Sequence, residues 1–169
     1  MLSFAFLLLI GSNGPAPQAW RIYVNPDGIR DTFHIAYPPQ WSLERQGGSI
    51  VVASPKGEVG VAISLHAGEG DTLDACAAAH LLDQGGAFIS APTRQSLITM
   101  NWRAVRLEAR GRQSGEEEDT IRYSVCLESS STPSHPLVSI TSTARASVFD
   151  SYRDVIVRIS ESVRFRPAA

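Results

Sequence analysis

From Phe33 onward, apolar residues fall on every second position in short runs broken by Gly and Pro. Phe33, Ile35 and Tyr37 alternate with His34 and Ala36, the spacing of a strand with one buried face. Pro38-Pro39 ends it, because proline offers no ladder N–H and holds the preceding residue extended. Trp41 and Leu43 resume the period of two. The run Phe33–Leu43 therefore predicts strand, rigid corner, strand, with Trp41 directed into or over the edge of the core. Gln46-Gly47-Gly48-Ser49 predicts a turn and Ile50–Ser54 the next strand. After Pro55–Glu58, Val59, Val61, Ile63 and Leu65 alternate with Gly60, Ala62, Ser64 and His66, giving a strand with a bulky face and a small face.

The period then changes. Leu73, Cys76, Ala77, His80 and Leu81 recur at helical spacing, with Asp71 or Thr72 placed to cap the first turn and Gly85-Gly86 to end the helix. Strands return at Arg94–Met100, Trp102–Arg110, Ile121–Glu128 and Leu137–Thr143. Ser147 opens a final helix, with Asp150 three residues on in a box-like position. Val148, Tyr152, Val155, Ile156, Ile159 and Val163 form its apolar stripe. The order is four strands, helix, four strands, helix. Short connections imply mainly antiparallel pairing, and two amphipathic helices must cover sheet surface. The expected class is α+β: a mainly antiparallel β-sheet packed with two helices in an α/β/α layered arrangement.

Composition adds limits. The chain has 169 residues, 43% hydrophobic and 19% charged, suited to one domain with a sizeable core. Net charge is −2, so no overall field draws nucleic acid or an acidic membrane. Leu2–Ile10 is an apolar run too short to span a bilayer, which needs about 20 residues. With the Gly/Ser/Pro/Ala-rich stretch after it, it fits a signal-peptide-like segment over residues 1–19, followed by one domain over 20–169. That implies an exported chain, periplasmic or extracellular, with no membrane span in its mature form. No Lys or Arg precedes the run and Pro17 sits poorly for cleavage, so a cytoplasmic location stays open. In an exported chain Cys76 and Cys126 could form one disulfide; otherwise they are two small buried hydrophobes.

The opening "FHIAYPPQWSL" and the closing "VIVRISESVRF" resemble segments of the PsbP-like family, which shares its fold with a Ran-binding nuclear import factor of the Mog type. The resemblance spans roughly residues 30–166, read through the ordered elements. It implies an antiparallel sheet with helices on it, and a family whose members mostly bind other macromolecules. It carries over no binding residue, because the shared positions report packing and bear no reactive group.

Chemistry is sparse. A nucleophile elbow, a phosphate-cradling loop and a Rossmann fingerprint are absent from the sequence. His34 and His66 lie on strands and could meet across the sheet, but a metal would need a third ligand. His80 reads as a boundary residue and His135 lies in a loop. Glu116-Glu117-Glu118-Asp119 reads as a solvated hairpin tip. Arg106, Glu108, Arg122 and Glu128 fall on polar phases of neighbouring strands and would form a cross-strand charge ladder if paired in register. The functional alternative is a partner-binding face in which Trp102, Arg106 and Arg122 take part, with Trp102 as aromatic anchor.

No catalytic residue, cofactor or metal is expected. The expected function is an exported, non-catalytic accessory or binding domain that holds another protein. The alternatives are a small-ligand carrier or minor enzyme with a pocket between helix and sheet, near Gly60, Ala62 and Ser64, or a cytosolic chaperone-like module.

Overall fold

A computed structural model describes residues 19–24, 33–66, 72–82, 87–112, 117–129 and 137–165. Residues 1–18 of the leader-like segment, Gly85-Gly86, His135 and Glu116 lie outside the described residues. Among the described residues eleven strands and two helices follow in order. They are β1 (Arg21–Val24), β2 (Phe33–Tyr37), β3 (Ser42–Gln46), β4 (Ser49–Ala53), β5 (Gly60–His66) and α1 (Leu73–Leu82). Then come β6 (Ala87–Phe88), β7 (Thr93–Ile98), β8 (Trp102–Arg112), β9 (Thr120–Ser129), β10 (Leu137–Arg145), α2 (Ala146–Glu161) and β11 (Arg164–Phe165).

Eight strands form one antiparallel sheet in the order β3-β4-β5-β10-β9-β8-β6, with β7 also paired to β8. The small sheet β1-β2-β11 stands apart. Successive side chains on a strand face opposite ways. On β9, Tyr123 and Val125 therefore join the core that contains Phe149, Ile156 and Ile159 of α2, while Cys126 joins α1. The result is α1, the large sheet, then α2 with the small sheet: the α+β layered arrangement that the periodicities imply.

The turns follow from residue type. Gln46 pairs with Ser49 across Gly47-Gly48, and Gly47 has φ +60°, a left-handed conformation that favours glycine. Beyond the Pro38-Pro39 corner the Trp41 N–H donates to the Pro38 carbonyl at 3.0 Å. The Trp41 ring is 3% exposed and meets Tyr152 of α2 edge-on at 5.7 Å. The double proline thus delivers an indole to the seam between sheet and helix.

The expected order of four strands, helix, four strands, helix is extended by three short strands, β1, β6 and β11, and three further details depart from the pattern-based expectation. The buried line of α2 includes Phe149, 0% exposed, which the apolar stripe did not contain. The first turn of α2 is held by Glu118, whose Oε1 accepts from the Ser147 N–H at 3.1 Å and the Ser147 hydroxyl at 2.5 Å; Asp150 pairs with Arg153 instead. A carboxylate at a helix N-terminus is stabilised by the free N–H groups there, and a loop distant in sequence serves as well as a neighbour. The cross-strand ladder does not form. Arg106 lies opposite Val125 and Glu108 opposite Tyr123, on the α2 face, whereas Arg122 and Glu128 point to the α1 face. Glu128 pairs with Arg103 at 2.6 Å.

Candidate functional site

The structure separates the three residues considered for partner binding. Trp102 is 3% exposed and Arg122 is 1% exposed, so neither offers its side chain to the surface. Arg122 lies over the Phe88 ring, 5.0 Å from its centroid, beneath the short strand β6. Its guanidinium comes so close to Gly111 that a Cβ there would stand 3.0 Å from it. Arg106, by contrast, borders an opening.

That opening is a cleft of about 380 Å³ between the β7–β8 ribbon and α2, lined by Thr93, Gln95, Arg106, Glu108, Tyr123 and Arg153 among others. Register puts it there, since Gln95 pairs with Arg106 and Thr93 with Glu108, so the four side chains share the α2 face. Arg153 of α2 reaches Glu108 at 2.5 Å and Asp150 at 2.9 Å. The Glu108 hydrogen bond above all holds the Arg153 guanidinium charged beyond its already high ordinary pKa. Glu108 is thereby neutralised. Arg106 donates to Gln95 Oε1, and its positive charge acts on the Tyr123 phenol. Among the described residues no carboxylate pairs with Arg106. Burial pushes the Tyr123 phenol above its ordinary value, so at neutral pH it stays protonated, and its O–H donates to Ser160 at 3.3 Å. The cleft offers a guanidinium, an amide and a phenol: groups that bind and orient.

Beside the cleft runs a sheet edge. β7 pairs with β8 on one side, and every residue of it except Leu97 is exposed. The hairpin after it ends in Met100, 96% exposed, next to Ile98 at 78%. Sequence reasoning placed both residues in the strand Arg94–Met100 and gave them no functional role; the structure ends the strand at Ile98 and leaves Met100 in the projecting turn.

On the α1 face a second constellation forms. The sulfurs of Cys76 and Cys126 are bonded, tying α1 to β9 across 50 residues. His80, one turn beyond Cys76, brings its Nε2 to 3.0 Å from Nε2 of His66 at the end of β5. Ser139 Oγ of β10 lies 2.7 Å from the same His66 nitrogen. His34 and His66, which could have met had they shared a sheet, are on different ones: His34 belongs to the small sheet and His66 to the large one. A helix–strand pair of histidines leaves no trace in spacing, because it depends on where α1 docks. α1 packs on β8, β9 and β10, not over the small face at Gly60, Ala62 and Ser64. Among the described residues the two histidines are joined by no third His, Cys, Asp or Glu side chain in a metal-binding cluster. No helix among them is long and apolar enough to cross a membrane.

Solved structures share this architecture. LpqN, involved in cell envelope biogenesis of Mycobacterium tuberculosis, superposes with a TM-score of 0.60 at 14% identity, over 88% of this chain and 92% of its own. The cyanobacterial PsbP (CyanoP) of Synechocystis sp. PCC 6803 gives 0.57 at 13% identity, over 93% and 99%. A Pseudomonas aeruginosa protein of unknown function, described as a putative regulator, gives 0.50 at 16% identity, over 89% and 100%. The chain has a PsbP-like fold. At such identities what is shared is the backbone arrangement. No protein-family profile and no curated protein sequence matches the chain.

Proposed function

We propose that the chain is an exported, non-catalytic accessory domain that holds another protein along the β7 edge of its large sheet. The observation that carries this reading is the edge itself. β7 is exposed at every residue but Leu97, ends at Ile98, leads to Met100 in the turn beyond it, and borders a cleft in which Arg106 has no carboxylate partner among the described residues. An open edge recruits an extended segment through main-chain hydrogen bonds, and pockets beside it choose the alternate side chains. The fitting partner is an extended segment with an acidic residue reaching Arg106. Export is supported by the leader-like start and by the involvement of LpqN in cell envelope biogenesis.

The test is a photo-crosslinking residue at Met100 of the full chain in cells that make it, with the same residue at Ile22, 68% exposed on the small sheet, as control. A discrete adduct from position 100, missing from position 22 and lost on Arg106→Glu, is expected. Equal labelling from both positions, or none from position 100 at near-native salt, would sink the assignment.

A further inference from the structure

The histidine pair on the α1 face serves neither the edge nor the core. We propose that His66 and His80 form a two-imidazole site for a divalent transition-metal ion that favours tetragonal geometry, Cu(II) or Ni(II), bridging the end of β5 and the last turn of α1. An imidazole nitrogen presents one lone pair or one N–H in the ring plane. His66 Nε2 nevertheless has two partners, Ser139 Oγ at 2.7 Å and His80 Nε2 at 3.0 Å. Two imidazole nitrogens and a hydroxyl thus meet at one point of the α1 face. With both rings in the tautomer that leaves Nε2 unprotonated, one cation can accept both ring lone pairs at once.

The separation is also close to that of two cis ligands. Metal–nitrogen bonds of about 2.05 Å to two atoms 3.0 Å apart subtend about 94° at the metal. That is a cis angle of a square or octahedral site. A tetrahedral ion would need the nitrogens about 3.3 Å apart at the same bond length. Imidazole ligands in tetragonal geometry suit Cu(II) and Ni(II), and Cu(II) stands highest in affinity among the divalent first-row ions. The rings are tilted 51° to each other with centroids 4.6 Å apart, so they are not stacked face to face. Both histidines are half-buried, which leaves the remaining positions open to water. The site is pre-organised by covalent structure. Cys76 lies four residues before His80 on the same helix face, and its bond to Cys126 fixes that face against the sheet.

The test is calorimetric titration of the untagged, oxidised full chain with Cu(II) alone in a non-coordinating buffer, followed by electron paramagnetic resonance. One equivalent bound, with an axial spectrum coupled to two imidazole nitrogens, is expected. His66→Ala and His80→Gln should each weaken binding roughly tenfold or more, since each removes one of two protein ligands, while His34→Ala leaves it unchanged. Circular dichroism and melting confirm that each variant is folded; His80→Gln keeps a polar group at a half-buried position and tests the site even if His66→Ala unfolds. Affinity should fall as pH is lowered, because protons compete for the same lone pairs. Folded variants that bind like the wild type, loss in one variant but not the other, or a spectrum without imidazole coupling would each overturn the site.

Discussion

The two faces of the large sheet are held in different ways. The α2 face joins Phe33, Ile35, Trp41, Val61, Ile63, Tyr123, Ile140, Phe149, Ile156 and Ile159 in one apolar cluster sealed by the small sheet. The α1 face has eight buried apolar residues, among them both cysteines and two alanines. It also buries Arg122 and Ser124, and among the described residues Arg122 Nε and Nη2 and Ser124 Oγ find no hydrogen-bond partner. One face is stabilised by area, the other by a covalent tie across a polar floor. A short, alanine-rich helix buries too little apolar surface to hold its place unaided.

The largest expected effect lies on the α2 face. Phe149→Ala removes a fully buried ring beside Tyr123 and should cost about 3–5 kcal/mol in urea unfolding. A loss below about 1 kcal/mol would mean that this face is not the centre of stability. The paired substitution Cys76→Ser and Cys126→Ser comes next, at about 2–4 kcal/mol. Hydrogen exchange should place its effect in α1 and leave the α2 amides protected. Uniform loss of protection would erase the distinction between the faces.

Arg122→Met asks whether the polar floor is structural. A buried cation with no carboxylate partner among the described residues pays for its desolvation, so an apolar side chain of similar length should leave stability unchanged or raise it by about 1 kcal/mol. A drop of more than about 2 kcal/mol would show that the guanidinium holds β6 down through Phe88 in a way an aliphatic chain cannot.

The smallest effect concerns Glu118. The Ser147 hydroxyl and N–H, with a lesser pull from Arg145, hold its carboxyl below the ordinary value of 4.5. A carboxyl lowered on folding stabilises the native state above its unfolded pKa, and that contribution fades as pH falls through its folded pKa. Glu118→Gln should therefore melt below the wild type at pH 6, and the gap should close under acid, below 4.5. A gap that persists at pH 3 would place the effect elsewhere than in the carboxylate charge.

Much of this fold is legible along the chain. Val59–Leu65 and Ile121–Leu127 announce their buried faces by alternation, Gly47-Gly48 announces its hairpin, and Thr72 caps α1 by accepting from the Ala75 N–H at 3.1 Å. β6 and β11 are not legible, because two residues carry no period and pair only where a long strand already offers an edge. β1 is exposed on nearly every residue and has no alternation to read. The candidate site is less legible still. Arg106 and Arg122 look alike on their strands, yet one borders a cleft and the other is buried under Phe88, since their registers put them on opposite faces. His80 has nothing in its spacing to join it to His66.

Spacing along the chain settles what spacing can: which stretches become strand or helix, which side of each is apolar, and where glycine and proline turn the backbone. These depend on neighbours two to four residues apart. Face, edge and partner belong to residues far apart in the chain, and they are decided when registers lock and helices dock. Glu118 on the start of α2, Cys76 on Cys126 and His80 against His66 all arise at that step, because each joins side chains whose approach is set by packing of the whole and by no local preference.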